Sequence, residues 1–151
     1  GEEGGFVLMG QDYAGIKFVS TAGGCALRYV VCKGAQNGKA EQTIAEMSVP
    51  LKAMPKPYTQ KYAVDDIPQT RPATPYIYVR VKVWSTGISN AIQGHAQFSW
   101  SKDGKQYNDV GEPFTIVEGK WIGAKLGFYC MKPAPKNDSP FLDVDWIRFG
   151  K

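Results

Sequence analysis

His95 is the single histidine of this 151-residue chain. No GxSxG pattern surrounds a serine, so a Ser-His-Asp arrangement has no support. His95 reads as a surface hydrogen-bonding group or a polar ligand contact. Hydrolysis by paired acids requires two carboxylates facing each other across a cleft. The acids considered for that role are Asp12, Glu46, Asp65, Asp66, Asp103, Asp109, Glu112, Glu118, Asp138, Asp143 and Asp145. Most fall among turn residues, where a carboxylate caps or shapes the turn. Asp143 and Asp145 differ, alternating onto one face of FLDVDWIRF. They are weak candidates for a calcium site, for chelating an arginine, or for facing solvent. Two acids supply too few of the six or more oxygens that calcium takes. No residue is assigned a catalytic role, and no cofactor is expected.

A more specific signal is Glu118 to Cys130, EGKWIGAKLGFYC. Read as a strand, Ile122, Ala124, Leu126, Phe128 and Cys130 form an apolar face. The opposite face carries Trp121, Lys125 and Tyr129 among Gly119, Gly123 and Gly127. Two further segments show the same division. Ile77, Val79, Val81 and Val83 oppose Tyr76, Tyr78, Arg80, Lys82 and Trp84, while Ala96, Phe98 and Trp100 oppose His95, Gln97, Ser99 and Ser101. Aromatic rings give flat apolar area with little flexibility to lose, and Tyr and Trp keep a polar handle. Such a surface suits the C–H face of a sugar ring, with Arg, Lys, Gln and Asn bonding its hydroxyls. Glycines allow close approach to the backbone. The binding candidates are therefore Trp121, Tyr129, Lys125, Tyr78, Arg80 and Trp84. Packing against protein is the alternative for Trp121 and Tyr129, and plain structural or solvated roles for Tyr78, Arg80 and Trp84.

Strands must hold these faces. The candidates are 6–9, 13–20, 25–33, 41–49, 76–84, 95–101, 114–117, 122–131 and 141–149, rich in Val, Ile, Phe, Tyr and Trp. Hairpin connections are expected at 21–24, 33–38 and 102–105, where Gly, Asn and Asp tolerate positive φ. No segment keeps a helical period for three turns, which predicts an all-β, two-sheet antiparallel sandwich in one domain. Six of the ten prolines fall between residues 50 and 75, a long surface excursion, and 132–140 is a shorter loop.

Composition agrees with a globular chain: 43% apolar and 21% charged. The net charge of +4 comes from 18 basic and 14 acidic residues, interspersed rather than blocked. Nucleic acid is therefore not an expected partner, and no apolar run reaches the roughly 20 residues that span a bilayer. Cys25 and Cys32 are an odd step apart and face opposite ways on one strand. Either could reach Cys130, but three buried thiols are expected.

The motifs MGQDYAGIKF, LRYVVCKGA, YIYVRVKV, FSWSKDGKQYNDVGEPFTIVEGKWIGAKLGFYC and DVDWIRF occur in that order along nearly the whole chain. Together they resemble the C-terminal concanavalin A-like β-sandwich of glycoside hydrolase family 43 β-xylosidases and α-arabinofuranosidases. The resemblance implies a concanavalin A-like jelly roll attached to a catalytic β-propeller that holds the catalytic carboxylates. It also implies xylan or xylo-oligosaccharide and that propeller as partners. Location would follow the parent enzyme: secreted or periplasmic in a bacterium, or cytoplasmic if imported oligosaccharides are the substrate. The family's GK(W/F)-x-GA aromatic falls on Trp121, which the resemblance brings toward the sugar site. Two departures stand out. Family sandwiches start with further strands upstream of GEEGGFVLMG, which implies an open edge here, and the proline-rich stretch is longer than the family's hairpin.

Overall fold

The computed structural model describes residues 2–21, 24–49, 77–132, 142, 144 and 146–150. Among them are β1 (Glu3–Met9), β2 (Tyr13–Thr21), β3 (Gly24–Cys32), β4 (Gln42–Val49) and β5 (Tyr78–Thr86), then β6 (Gln93–Ser101), β7 (Asn108–Asp109), β8 (Phe114–Thr115) and β9 (Lys125–Met131). Period-two alternation in Val-, Ile- and aromatic-rich segments is the reason these are strands. The described residues contain no α-helix, only short 3-10 turns at Ala35–Asn37 and Ser89–Ala91.

Two antiparallel sheets result. The first runs β4-β3-β2-β1-β9, and the second pairs β5 with β6 and sets β7 and β8 along the other side of β6. Register decides which side chains share a surface. In the first sheet Phe6 lies opposite Ile16 and Phe128, placing all three on the face toward the second sheet. In the second sheet Val79, Val81 and Val83 oppose Trp100, Phe98 and Ala96. The two inner faces meet at Phe98, whose fully buried ring lies 6.4 Å from Phe6 and 5.6 Å from Tyr29. Removing a side chain of this size from water contributes about 2–3 kcal/mol. Leu8, Ala14, Ile16, Leu27, Val49, Val110 and Phe114 complete the core.

Turn chemistry follows the sequence. Gly34 (φ 79°) and Gly38 (φ 71°) flank the 3-10 turn between β3 and β4. Gly104 (φ 71°) lies in the connection after β6. There Asp103 accepts from the Lys105 and Gln106 N–H groups at 2.8 and 3.0 Å and from the Ser101 hydroxyl at 2.8 Å. Those backbone and hydroxyl donors hold its carboxyl down at about 2.

Several expectations are corrected. The last hairpin strand begins at Lys125, so Trp121 and Ile122 lie in the loop before it. Residues 116 and 117 fall outside β8, and the two-residue β7 was not anticipated. Of 141–149, the described residues 142, 144 and 146–149 are not in a strand. Asp143 and Asp145, the proline-rich stretch and most of the 132–140 loop lie outside the described residues. Among the described residues no cluster of three or more His, Cys, Asp or Glu could hold a metal. All three cysteines are free; Cys32 is buried, whereas Cys25 and Cys130 are half-buried. Cys25 packs toward the core and Cys32 shares the outer face with its cross-strand partner Tyr13, as their odd spacing required.

Candidate functional site

The six residues chosen as binding candidates do not form one surface. Lys125 and Tyr129 stand on the outer face of the first sheet, opposite Met9 and Gly5. Tyr78, Arg80 and Trp84 stand on the outer face of the second, opposite Ser101, Ser99 and His95. Trp121 belongs to neither face. Alternation assigned the faces correctly within each strand, but a sandwich has two outer faces and strand alternation cannot tell them apart.

On the second sheet, aromatic and polar groups are held in pairs. The Trp84 indole stacks on its cross-strand neighbour His95, centroids 5.6 Å apart and planes 26° from parallel. His95 Nε2 is 2.8 Å from the Thr86 hydroxyl, which fixes the imidazole. Arg80 donates through Nε to the Ser99 hydroxyl at 3.2 Å and lies 4.0 Å from the centre of the Tyr107 ring. Tyr78 packs 6.0 Å from Trp146. Beyond Trp84 the face opens into a shallow hollow of about 500 Å³ lined by Lys82, Trp84, Gln97 and Asp109. Asp109 comes from the two-residue β7, which pairs only with Ser99 and Trp100 of β6.

The outer face of the first sheet carries a different constellation, one that single-strand reading missed. The Lys17 ammonium is held between Glu41, at 2.6 Å, and Glu3, at 3.0 Å. Tyr13 donates its hydroxyl to the other Glu41 oxygen at 3.0 Å. Lys17 is only 7% exposed. Burial pulls its pKa down, but the hydrogen bonds it donates to Glu41 and Glu3 outweigh that, and the group ends above its ordinary value. Tyr129 is pushed up by burial first, then by the charges of Glu3 and Glu41. Tyr13 is pushed up by burial and by its bond to Glu41. The floor is glycine: a Cβ on Gly5 would lie 2.4 Å from the Ile16 carbonyl oxygen, and one on Gly15 would lie 2.6 Å from that of Phe6. Glu3, Lys17 and Glu41 come together only because β2 has β1 on one side and β3, then β4, on the other.

Trp121 is 94% exposed, with the less open Ile122, at 58%, beside it. The loop beneath it is tight. A Cβ on Gly119 would meet the Ile122 carbonyl oxygen at 2.6 Å, so the chain can double back only at glycine, whereas Gly123 has nothing within 4 Å. Upstream, the Gln11 N–H donates to the Val117 carbonyl at 3.3 Å, which ties this segment to the β1–β2 turn. The result is an indole projected from a braced rim, left uncovered by the described residues.

Comparison with known proteins now bears on these surfaces. A curated β-xylosidase of Formosa agariphila is 39% identical over 54 residues, which are 36% of this chain and 9% of that protein. The match therefore spans a small part of the relative. No solved structure matches. Residues 1–150 match the family described as the β-xylosidase C-terminal concanavalin A-like domain. A two-sheet antiparallel sandwich is the architecture that family description calls for, and with a match over essentially its full length this chain belongs to that family.

Proposed function

We propose that this chain is a non-catalytic ancillary sandwich of a xylan-degrading glycoside hydrolase, of the β-xylosidase or α-arabinofuranosidase type. In this reading it contacts xylan or xylo-oligosaccharide through an aromatic platform. The observation that carries the proposal is Trp121: a large ring at 94% exposure on a loop braced by Gly119, with open space at Gly123. An exposed indole loses little motion on binding and offers a flat face to the C–H side of a pyranose. The family match and the name of the curated relative point to the same class of glycan. Affinity electrophoresis through xylan and calorimetry with xylo-oligosaccharides test it. Retardation that Trp121→Ala abolishes or markedly reduces is expected, and the absence of any interaction with either ligand would refute it.

A second reading rests on a separate observation. Among the described strands β9 is at the edge of its sheet, and its core-facing Leu126 and Phe128 remain 41% and 46% exposed, with Ile122 and Trp121 nearby in sequence. Apolar groups at an open edge suit packing against another protein layer, here a catalytic β-propeller in the same polypeptide. That reading expects the parent enzyme carrying Leu126→Ser and Phe128→Ser to melt lower and lose turnover. Unchanged melting and turnover would remove it.

A further inference from the structure

The hollow on the second sheet has lining chemistry that packing does not consume. Lys82 and Asp109 both border it, yet among the described residues neither makes an ion pair or a side-chain hydrogen bond, even with the other. Opposite charges that share a hollow unpaired leave one donor and one acceptor available. Gln97 is fixed by its amide nitrogen, which donates to the carbonyl oxygens of Phe98, Val110 and Gly111 at 3.0, 3.3 and 3.2 Å. Its amide oxygen is thus left as a positioned acceptor. His95, itself held by Thr86, stacks on one side of the Trp84 indole and fixes the ring's plane beside the hollow.

From these four groups we infer that the hollow is a saccharide subsite, distinct from Trp121, that takes one neutral pyranose ring. The indole offers a flat apolar wall. Asp109 and Gln97 accept from ring hydroxyls, and the Lys82 ammonium donates to one. A volume of about 500 Å³ is that of a shallow, open site, within the roughly 300–1,000 Å³ of small-ligand sites. The charge pattern selects the class of ligand. Asp109 disfavours a phosphate or a carboxylate, Lys82 disfavours a cation, and four polar or half-polar walls disfavour a purely apolar molecule. Identifying the sugar as a unit of xylan rests on the function proposed above; the subsite itself does not.

Titration with xylotriose and with cellotriose, following the indole N–H resonances of Trp84, Trp100, Trp121 and Trp146 by NMR, tests the inference. A saturable shift of the Trp84 signal is expected. Trp84→Ala, which removes the reporter ring and is therefore read by calorimetry, should weaken that binding about tenfold, the scale of one lost aromatic contact. Because Trp84 also packs on His95, Lys82→Met serves as the variant that leaves the fold intact, and about threefold weakening is expected for one lost hydrogen bond. Binding that moves Trp121 while Trp84 stays silent, or that Lys82→Met leaves unchanged, overturns the subsite and spares the proposed function. A Trp84 shift with cellotriose alone supports the subsite and counts against the xylan assignment. No shift with either sugar overturns both.

Discussion

The two outer faces of this sandwich solve the same problem in opposite ways. Each presents charged and aromatic residues beyond a shared core. On the first sheet the charges close on one another: Glu3 and Glu41 saturate a nearly buried Lys17, and Tyr13 locks Glu41. On the second sheet Lys82 and Asp109 stay apart across a hollow. A closed network gives up its capacity to bind anything else in exchange for holding strands in register, whereas unpaired groups keep theirs. Aromatic and basic composition alone therefore does not mark a binding face; the state of the hydrogen bonds does.

The widest separation between the faces is expected at high pH. Tyr13, Lys17 and Tyr129, together with Tyr29 at the core (pushed up by burial to about 12), all sit above their ordinary values of about 10 to 10.4. A raised folded-state pKa adds stability that is complete below the unfolded value and lost as pH climbs through the folded one. Unfolding midpoints in urea should hold steady to about pH 10 and then fall, with amides of β1 to β4 losing exchange protection first. Asp103 has the opposite sign: its lowered pKa adds stability present above about pH 4 and lost as pH drops toward 2, confined to the turn after β6. Uniform loss across both sheets in alkali would erase the contrast.

Removing the central cation of the closed face comes next. Lys17→Ala leaves Glu3 and Glu41 facing each other without a counter-charge. The cost should be about 2–3 kcal/mol in urea unfolding, below that of a fully buried pair because both carboxylates keep some water. Lys82→Ala on the open face should stay within about 0.5 kcal/mol. Equal costs would show that Lys17 is no more structural than Lys82.

Glycine substitutions sharpen the same point on one sheet. Gly15→Ala drives a methyl against the Phe6 carbonyl oxygen and should cost about 1–3 kcal/mol, while Gly127→Ala on edge strand β9 meets nothing and should stay within about 0.5 kcal/mol. A smaller loss than that of Gly15→Ala is expected on the second sheet. Tyr107→Leu removes the ring beneath Arg80 at a cost of about 0.5–1 kcal/mol, readable as a small shift in denaturant midpoint.

Much of this architecture was legible in the sequence. Alternation in YVRVKVW and HAQFSW assigned Val79, Val81, Phe98 and Trp100 to one side and Arg80, Trp84, His95 and Gln97 to the other, and the register agrees. What escaped notice depends on neighbours in space. Lys17 and Glu41 are far apart in the chain and meet only when β2, β3 and β4 are laid side by side. Glu3 and Glu41 carry no sequence signal of their own, because neither lies in a recognisable acidic pattern. The alternation of its neighbours predicts a strand at Trp121. The backbone turn at Gly119, imposed by the close Ile122 carbonyl, breaks that run before β9 begins. β7, at two residues, is too short to carry any period.

The place of β9 also bears on how the molecule is made. The first four strands are joined in sequence by local connections, so their meander can assemble as the chain emerges from the ribosome. β1, however, has its second neighbour in β9, with Glu3 opposite Met131 and Met9 opposite Lys125. That pairing closes a loop of nearly the whole described chain, and long closures are slow to form. Among the described strands, β1 has no partner on that side until synthesis reaches residue 131, which leaves an edge carrying Phe6 and Leu8 open to pairing with a stranger. Protection of nascent β1 is thus a requirement set by topology.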